Sequence, residues 1–281
     1  MIDLHSHTNE SDGTLTPAEL VDLAVATQLE ALAISDHDTF AGYDQAVAPA
    51  RAAGLDLVCG IELSARITGK KKRTAHILGY FLHQPPADDF RDWLSEILAA
   101  RRDRNQRLIV KLQSMGVDIR LEEVERIGRT LTGRPHFARV LVQKGYVTDS
   151  EDAFHKYLDE EAPAYVERHG PEIAVALHKI ADAGGLAVLA HPVRLGVRDP
   201  AAEDALIGEL AAAGLRGIEV YHSDHQPADV ERYGKIARKY SLAPTGGSDF
   251  HGDAKPQIAL GTGWNGNLNI PKSVLDNLRN T

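Results

Sequence analysis

Short apolar runs alternate with amphipathic stretches along most of this chain, and nearly every run ends in histidine or a carboxylate. Runs at 32–34, 55–61, 75–82, 186–190, 217–221 and 243–246 read as strands, and the segment around 3–7 as an opening strand. Stretches at 17–29, 43–53, 172–183, 201–213 and 227–240 read as helices. The first of these has an N-cap at Thr16, Pro17 at its first position and Glu19 completing a near capping box. Gly54 is a helix stop. Repeated strand–helix units of this length predict parallel strands, right-handed crossovers and an α/β chain whose sheet is barrel-like.

The rhythm breaks after His83. Pro85-Pro86 interrupts the chain, and the next eighty or so residues carry helical patterns at 90–115, 121–127, 135–144 and 150–158. The expected organisation is therefore a barrel from residues 1–84 and 167–281, with a helical insertion, 85–166, covering the active site.

In such barrels the functional residues gather at the C-terminal ends of strands. His5 and His7 lie two apart in the opening strand, so their imidazoles face the same way. His37, Glu62, His76, His191, His222, Asp249 and His251 also fall near strand ends, with Asp12 soon after the first. A single histidine there is ordinarily a hydrogen-bonded structural residue. Setting His222 aside, six histidines with three carboxylates cannot be satisfied side by side without a cation between them. Imidazole with carboxylate is the ligand set of zinc, manganese or iron, and nine residues exceed the coordination of one ion.

The bulk composition narrows the partners. A hydrophobic share of 43% allows a sizeable core, and no apolar run approaches the ~20 residues that span a bilayer. The single cysteine, Cys59, sits in an apolar run and reads as a buried strand residue. It excludes an internal disulfide, and with no basic-then-apolar leader the expected location is cytoplasmic. A net charge of −9 argues against a broad surface for long duplex nucleic acid. Bound cations reverse that sign locally. Three divalent ions against three carboxylates and a hydroxide leave roughly +2, which suits a phosphate ester.

The motifs Asp3-Leu4-His5-Ser6-His7, Ser35-Asp36-His37-Asp38, Gly60-Ile61-Glu62, His76, Ala190-His191-Pro192 and Ser248-Asp249-Phe250-His251 resemble those of the polymerase-and-histidinol-phosphatase (PHP) superfamily. The likeness spans residues 1–82 and about 170–255. It implies a distorted (β/α)7 barrel holding three divalent metal ions, with Mn2+ expected ahead of Fe2+ or Zn2+. Mapped by motif, one ion takes His5, His7, Glu62 and Asp249. A second shares Glu62 and adds His76 and His191. A third takes Asp12, His37 and His251. Ser35 stands where the family usually has Thr. Asp36 reads as an orienting residue or a plain turn residue.

The resemblance also bears on the insertion. Gly133-Arg134-Pro135-His136 opens a helix, and one PHP branch has a similar segment in an insertion of this size. That branch includes 3′,5′-nucleoside bisphosphate phosphatases and a 5′→3′ oligoribonucleotide exonuclease. It implies a phosphoric ester hydrolase removing the 3′-phosphate of a 3′,5′-bisphosphonucleotide by attack of a metal-bridging hydroxide. In this reading Glu62 and Asp249 serve the reaction, His222 donates a proton or packs structurally, and Arg134, His136 and Arg194 hold phosphate. Exonuclease action on short RNA, histidinol phosphate hydrolysis and a non-catalytic metal-binding domain are the alternatives. Arg101, Arg102, Arg104 and Arg107 read as a solvated helix face, and Lys70 to Arg73 as a hairpin turn or an anion-steering patch. The sequence leaves oligomeric state open.

Overall fold

A computed structural model describes residues 1–67, 73–128, 132–167 and 170–280. Seven strands form one sheet in the order β1 to β7: β1 (Ile2–Asp3), β2 (Ala31–Ile34), β3 (Asp56–Ile67), β4 (Arg73–Phe81), β5 (Leu186–Leu189), β6 (Gly217–His222) and β7 (Ala243–Gly247). The first and last strands approach each other. Leu4 N–H donates to Gly246 O at 3.2 Å, and Ser6 and Phe250 form a parallel bridge. This is the distorted (β/α)7 barrel expected from the sequence.

The strand–helix units pair in parallel, as their rhythm predicts, and β4 stands apart, running antiparallel to both β3 and β5. β3 ends at Ile67 and β4 starts at Arg73, too close in sequence for the crossover that parallel pairing requires. Lys70, Lys71 and Lys72, which the sequence reads as a hairpin turn or an anion-steering patch, lie outside the described residues. Two consequences matter for the site. His76 pairs with Ser64 near the start of β4, so it reaches the same end of the barrel as the C-terminal ends of its neighbours. Phe81, the last residue of β4, pairs with Cys59 near the start of β3. The chain therefore leaves β4 heading away from that end.

Helices α1 (Pro17–Ala26) and α2 (Ala41–Ala53) cover β1 to β3. Thr16 and Glu19 form the expected capping box, and Gly54 closes α2 at φ 69°. Helix α1 ends three residues early because Thr27 Oγ1 bonds back to Leu23 O and Gln28 takes φ 57°. Leu20, Val21, Ala24, Leu32, Ile34 and Ala46 pack between helices and strands. Inside the barrel Tyr80 is buried, its hydroxyl donating to Leu4 O at 2.7 Å.

The compact units divide at Arg91/Asp92 and Gly170/Pro171, a few residues beyond the sequence-based boundaries. The second unit contains most of α3 (Asp88–Ser114), then α4 (Leu121–Gly128), α5 (Arg134–Gln143), α6 (Ser150–Ala153) and a π-helical turn, Phe154–Leu158. Leu108, Leu112, Ile119, Val124, Phe137, Leu141 and Leu158 give it an apolar core of its own. The first unit is completed by α7 (Ile173–Asp182), α8 (Pro200–Ala212), α9 (Pro227–Lys239) and α10 (Ser273–Arg279).

Gly247 shows how tightly the barrel closes. A Cβ there would lie 2.3 Å from both the Cβ and the backbone nitrogen of His5. Gly247→Ala is expected to cost at least about 2 kcal/mol, because backbone cannot yield as a side-chain tip does. Chemical denaturation checks this; a midpoint equal to wild type would mean the His5 strand moves freely.

Candidate metal centre

The strand expected around 3–7 is shorter: β1 ends at Asp3, and His5 and His7 follow it on either side of the Ser6–Phe250 bridge, with ring centroids 5.2 Å apart. Their Nε2 atoms lie 3.3 and 3.1 Å from Glu62 Oε2, and 3.5 and 3.4 Å from Asp249 Oδ1. Donors held 2.0–2.2 Å from a tetrahedral ion are separated by about 3.4 Å, so this spacing fits a cation at the centre. Both Nε2 atoms are buried and make no hydrogen bond among the described residues. Two buried imidazole nitrogens without hydrogen bonds, converging with two carboxylate oxygens, fit a metal better than they fit each other.

Glu62 lies in the middle of β3, bridged to His37, because β3 and β4 extend well past the rest of the sheet. Its two oxygens face different partners. Oε2 meets His5, His7 and, at 3.3 Å, His37 Nδ1. Oε1 meets His76 Nδ1 at 2.7 Å and His191 Nε2 at 3.0 Å. A further group forms on the other side of His7 and His37. Asp12 Oδ1 lies 3.3 Å from His251 Nε2 and 3.6 Å from His7 Nδ1, and Asp12 Oδ2 lies 3.7 Å from His37 Nε2. All nine residues that sequence spacing nominates are thus brought together. The groups overlap more than the motif mapping has them, since His7 and His37 each turn one nitrogen to Glu62 and the other to Asp12.

The electrostatics follow from burial among opposite charges. Burial opposes ionisation of Glu62, but His37, His76 and His5 hold its carboxyl well below the usual range. Asp249 and Asp12 are held down in the same way, each against the cost of burial, with His251 the leading partner of both. Burial would lower His7, yet Asp249, Glu62 and Asp12 raise it to about 9. Burial wins at His37 and His191, which fall to about 3 and about 4. The carboxylates are therefore ionised and His37 and His191 neutral at neutral pH, as ligation needs, while the carboxylates around His5 and His7 favour their protonated forms, so a cation entering there displaces a proton.

Buried carboxylates stand behind the donors. Asp36 accepts from Thr8 N–H and Oγ1 at 2.8 and 2.6 Å and from Ser11 Oγ, tying the loop after His7 to the end of β2. Asp3 accepts from the N–H groups of His5, Ser248 and Gly261, and from Ser248 Oγ. Glu219 bonds His5 Nδ1 at 2.9 Å. Sequence reasoning gave Glu219 no role; its one signal was a carboxylate in the apolar run 217–221. The ladder between β6 and β7 slips after Glu219, a bulge that brings Glu219 and His222 to the same neighbourhood although they are three apart.

The second oxygen of Asp249 faces cations. Arg194 Nη1 lies at 2.9 Å and Lys255 Nζ at 2.7 Å. Arg194 also pairs with Asp224. Sequence reasoning gave Lys255 no role, because nothing in its setting, two residues past Gly252-Asp253, marks it. His222 is fully buried; its Nδ1 accepts from Asp224 N–H, and its Nε2 stands 3.8 Å from Asp249 Oδ2. Cys59 is buried in β3, and burial pushes its thiol up, away from nucleophilic chemistry.

Within the insertion, Arg134 donates to Leu158 O at 3.1 Å between the rings of Phe154 and Tyr165. His136 Nδ1 accepts from Gly133 N–H and closes the start of α5. The arginine stretch on α3 is not a uniformly solvated face. Arg102 and Arg107 are exposed and pair with Glu125 and Asp103, but Arg101 and Arg104 are buried. Residues three apart on a helix share a face, and this face turns toward the insertion's interior.

A PHP domain model matches residues 3–161. The chain belongs to the PHP family. It is 34% identical over 252 residues to a 3′,5′-nucleoside bisphosphate phosphatase of Chromobacterium violaceum, covering 89% of this chain and 87% of that one. It is 32% identical over 253 residues to a 5′-3′ exoribonuclease of Haemophilus influenzae, covering 89% of both. Among solved structures, one from Bifidobacterium adolescentis, assigned as a metal-dependent phosphoesterase, matches with TM-score 0.82 and 31% identity, over 98% of this PHP chain and 94% of that one.

Proposed function

We propose that this PHP protein is a metal-dependent phosphoesterase that removes the 3′-phosphate from 3′,5′-bisphosphonucleotides. The observation that carries the reading is Glu62, whose two oxygens face separate clusters of histidines. Divalent ions there, with manganese the first to test and three the expected number, supply a deprotonated water at neutral pH and charge for the phosphoryl oxygens.

The chain's own residues do the rest. His5, His7, Asp12, His37, Glu62, His76, His191, Asp249 and His251 hold the cations. Arg194 and Lys255, now occupied by Asp249, are placed to turn to phosphoryl oxygens. That exchange frees Asp249 Oδ2 to take the proton of the attacking water as its oxygen joins phosphorus and to pass it to the departing 3′-oxygen, leaving inorganic phosphate and a 3′-hydroxyl. His222 backs Asp249 from the buried side. A second phosphate needs a cation and a hydrogen-bond donor away from the metals; in this reading Arg134 supplies the charge, turning from Leu158 O, and His136 donates from the ring nitrogen that Gly133 does not bond. The acidic chain otherwise lacks the charge for long nucleic acid.

Short RNA is the second reading, favoured by the equal coverage of the Haemophilus exoribonuclease. Both substrates present a 5′-phosphate and a 3′-phosphoryl group. Comparing kcat/KM of the manganese-loaded protein on adenosine 3′,5′-bisphosphate and on a short 5′-phosphorylated RNA decides between them. Arg134→Ala should raise KM for the bisphosphate at least about tenfold while moving KM for a simple aryl phosphate little, the loss of one charge-assisted contact. Equal loss on both substrates would sink the assignment, because it would report only a loosened insertion.

A further inference from the structure

Glu219 takes no part in the reaction proposed above, yet it is fully buried in β6 and each of its oxygens is engaged. Oε1 faces His5 Nδ1 at 2.9 Å, and Oε2 accepts the backbone N–H of His191 at 2.6 Å. These partners belong to different donor groups. His5 turns its Nε2 to Glu62 Oε2 and Asp249, while His191 turns its Nε2 to Glu62 Oε1.

The two bonds act differently. A carboxylate behind an imidazole fixes which nitrogen carries the proton. With Nδ1–H given to Glu219, His5 presents the lone pair of Nε2 to the centre. At His191 the backbone itself is held. Its φ of 27° and ψ of 63° are a conformation that an L residue keeps only when its surroundings impose it. The Glu219 bond on its N–H, with its carbonyl accepting from Arg194 N–H at 2.9 Å, imposes it. His5, Glu219 and His222 are close enough to hold a cation themselves. Both Glu219 oxygens are already accepting hydrogen bonds, so the group reads as a support.

We infer that Glu219 is a positioning residue that sets His5 and His191 at once, so that one carboxylate prepares two neighbouring cation sites. The inference rests on the metal-centre reading. Glu219→Gln tests it with little change of shape. An amide has one accepting and one donating end, so it serves one of the two donors and opposes the other. Manganese or zinc affinity, measured by titration calorimetry and by bound metal per chain after dialysis, should fall about 10- to 100-fold. Glu203→Gln is the control: Glu203 is buried, bonded by Tyr233 and Arg232, and its loss should lower the melting temperature while leaving metal affinity unchanged. Should Glu219→Gln not fold, Glu219→Asp, too short to reach both partners, should show the same loss. Independently, nitrogen-15 spectra of the zinc-loaded wild type should show His5 protonated at Nδ1 and ligating through Nε2. Wild-type protein that binds no divalent metal would refute the metal-centre reading itself. Wild-type binding with undiminished affinity in the folding Glu219 variant, or His5 ligating through Nδ1, would overturn the role given to Glu219 alone.

Discussion

Glu62→Gln is expected to lower kcat/KM for an aryl phosphate by about 10³-fold or more, and to lower the metal content with it. The magnitude follows from what a bridging carboxylate does. Metal charge at a phosphoryl centre is worth several kcal/mol, and each 1.36 kcal/mol is a factor of ten. Glutamine keeps the volume, so β3 should pair with β4 as before. What changes is charge and lone pairs. Oε1 now serves His76 and His191, and Oε2 serves His5, His7 and His37. An amide nitrogen replacing either oxygen turns N–H groups toward one of those clusters. Removing a ligand from the edge of the set, as in Asp12→Asn, should cost less, because Asp12 is a quarter exposed and touches only the His7, His37 and His251 side. Metal content by elemental analysis and initial rates on one substrate measure both effects. A Glu62→Gln protein with full metal content and activity within tenfold of wild type would remove Glu62 from the centre of the scheme.

The sequence carries the nine candidate donors because their chemistry is unmistakable in an apolar setting, and period-two alternation places His5 with His7. It carries the barrel because strand–helix rhythm has few packings. It does not carry strand direction. A run such as 73–81 has the same alternation read either way, so His76 looks like a residue near a strand end when it stands near the start of a reversed strand. Nor does it carry the bulge in β6, which breaks the period that makes strands legible and hides the proximity of Glu219 to His222. Lys255 and the buried pair Arg101 and Arg104 escape for a third reason. A long cationic side chain is solvated by default, and only its neighbours in space reveal otherwise.

Stripping the metals should lower the melting temperature of the barrel unit by about 10–20 °C, with hydrogen exchange rising locally. A ligand present at a hundred times its dissociation constant adds about 2.7 kcal/mol to the folded state at each site. Two filled sites therefore contribute about 5 kcal/mol, and a unit of this size shifts by roughly 2–4 °C per kcal/mol. The location of the effect is as informative as its size. Every candidate donor lies in the unit formed by Met1–Arg91 and Pro171–Thr281. The insertion has its own core around Leu112, Phe137 and Leu141 and none of those donors. Peptides covering residues 2–7, 56–67 and 247–251 should gain protection when manganese is added to the chelator-treated protein, while peptides from 108–124 and 134–143 should not. A histidine cluster satisfied by its own hydrogen bonds makes the opposite forecast, since it has nothing to lose to a chelator. The buried Nε2 atoms of His5 and His7, which no described residue bonds, are why the larger shift is expected. A melting temperature unchanged within about 2 °C on chelation would mean these nitrogens hold no ion.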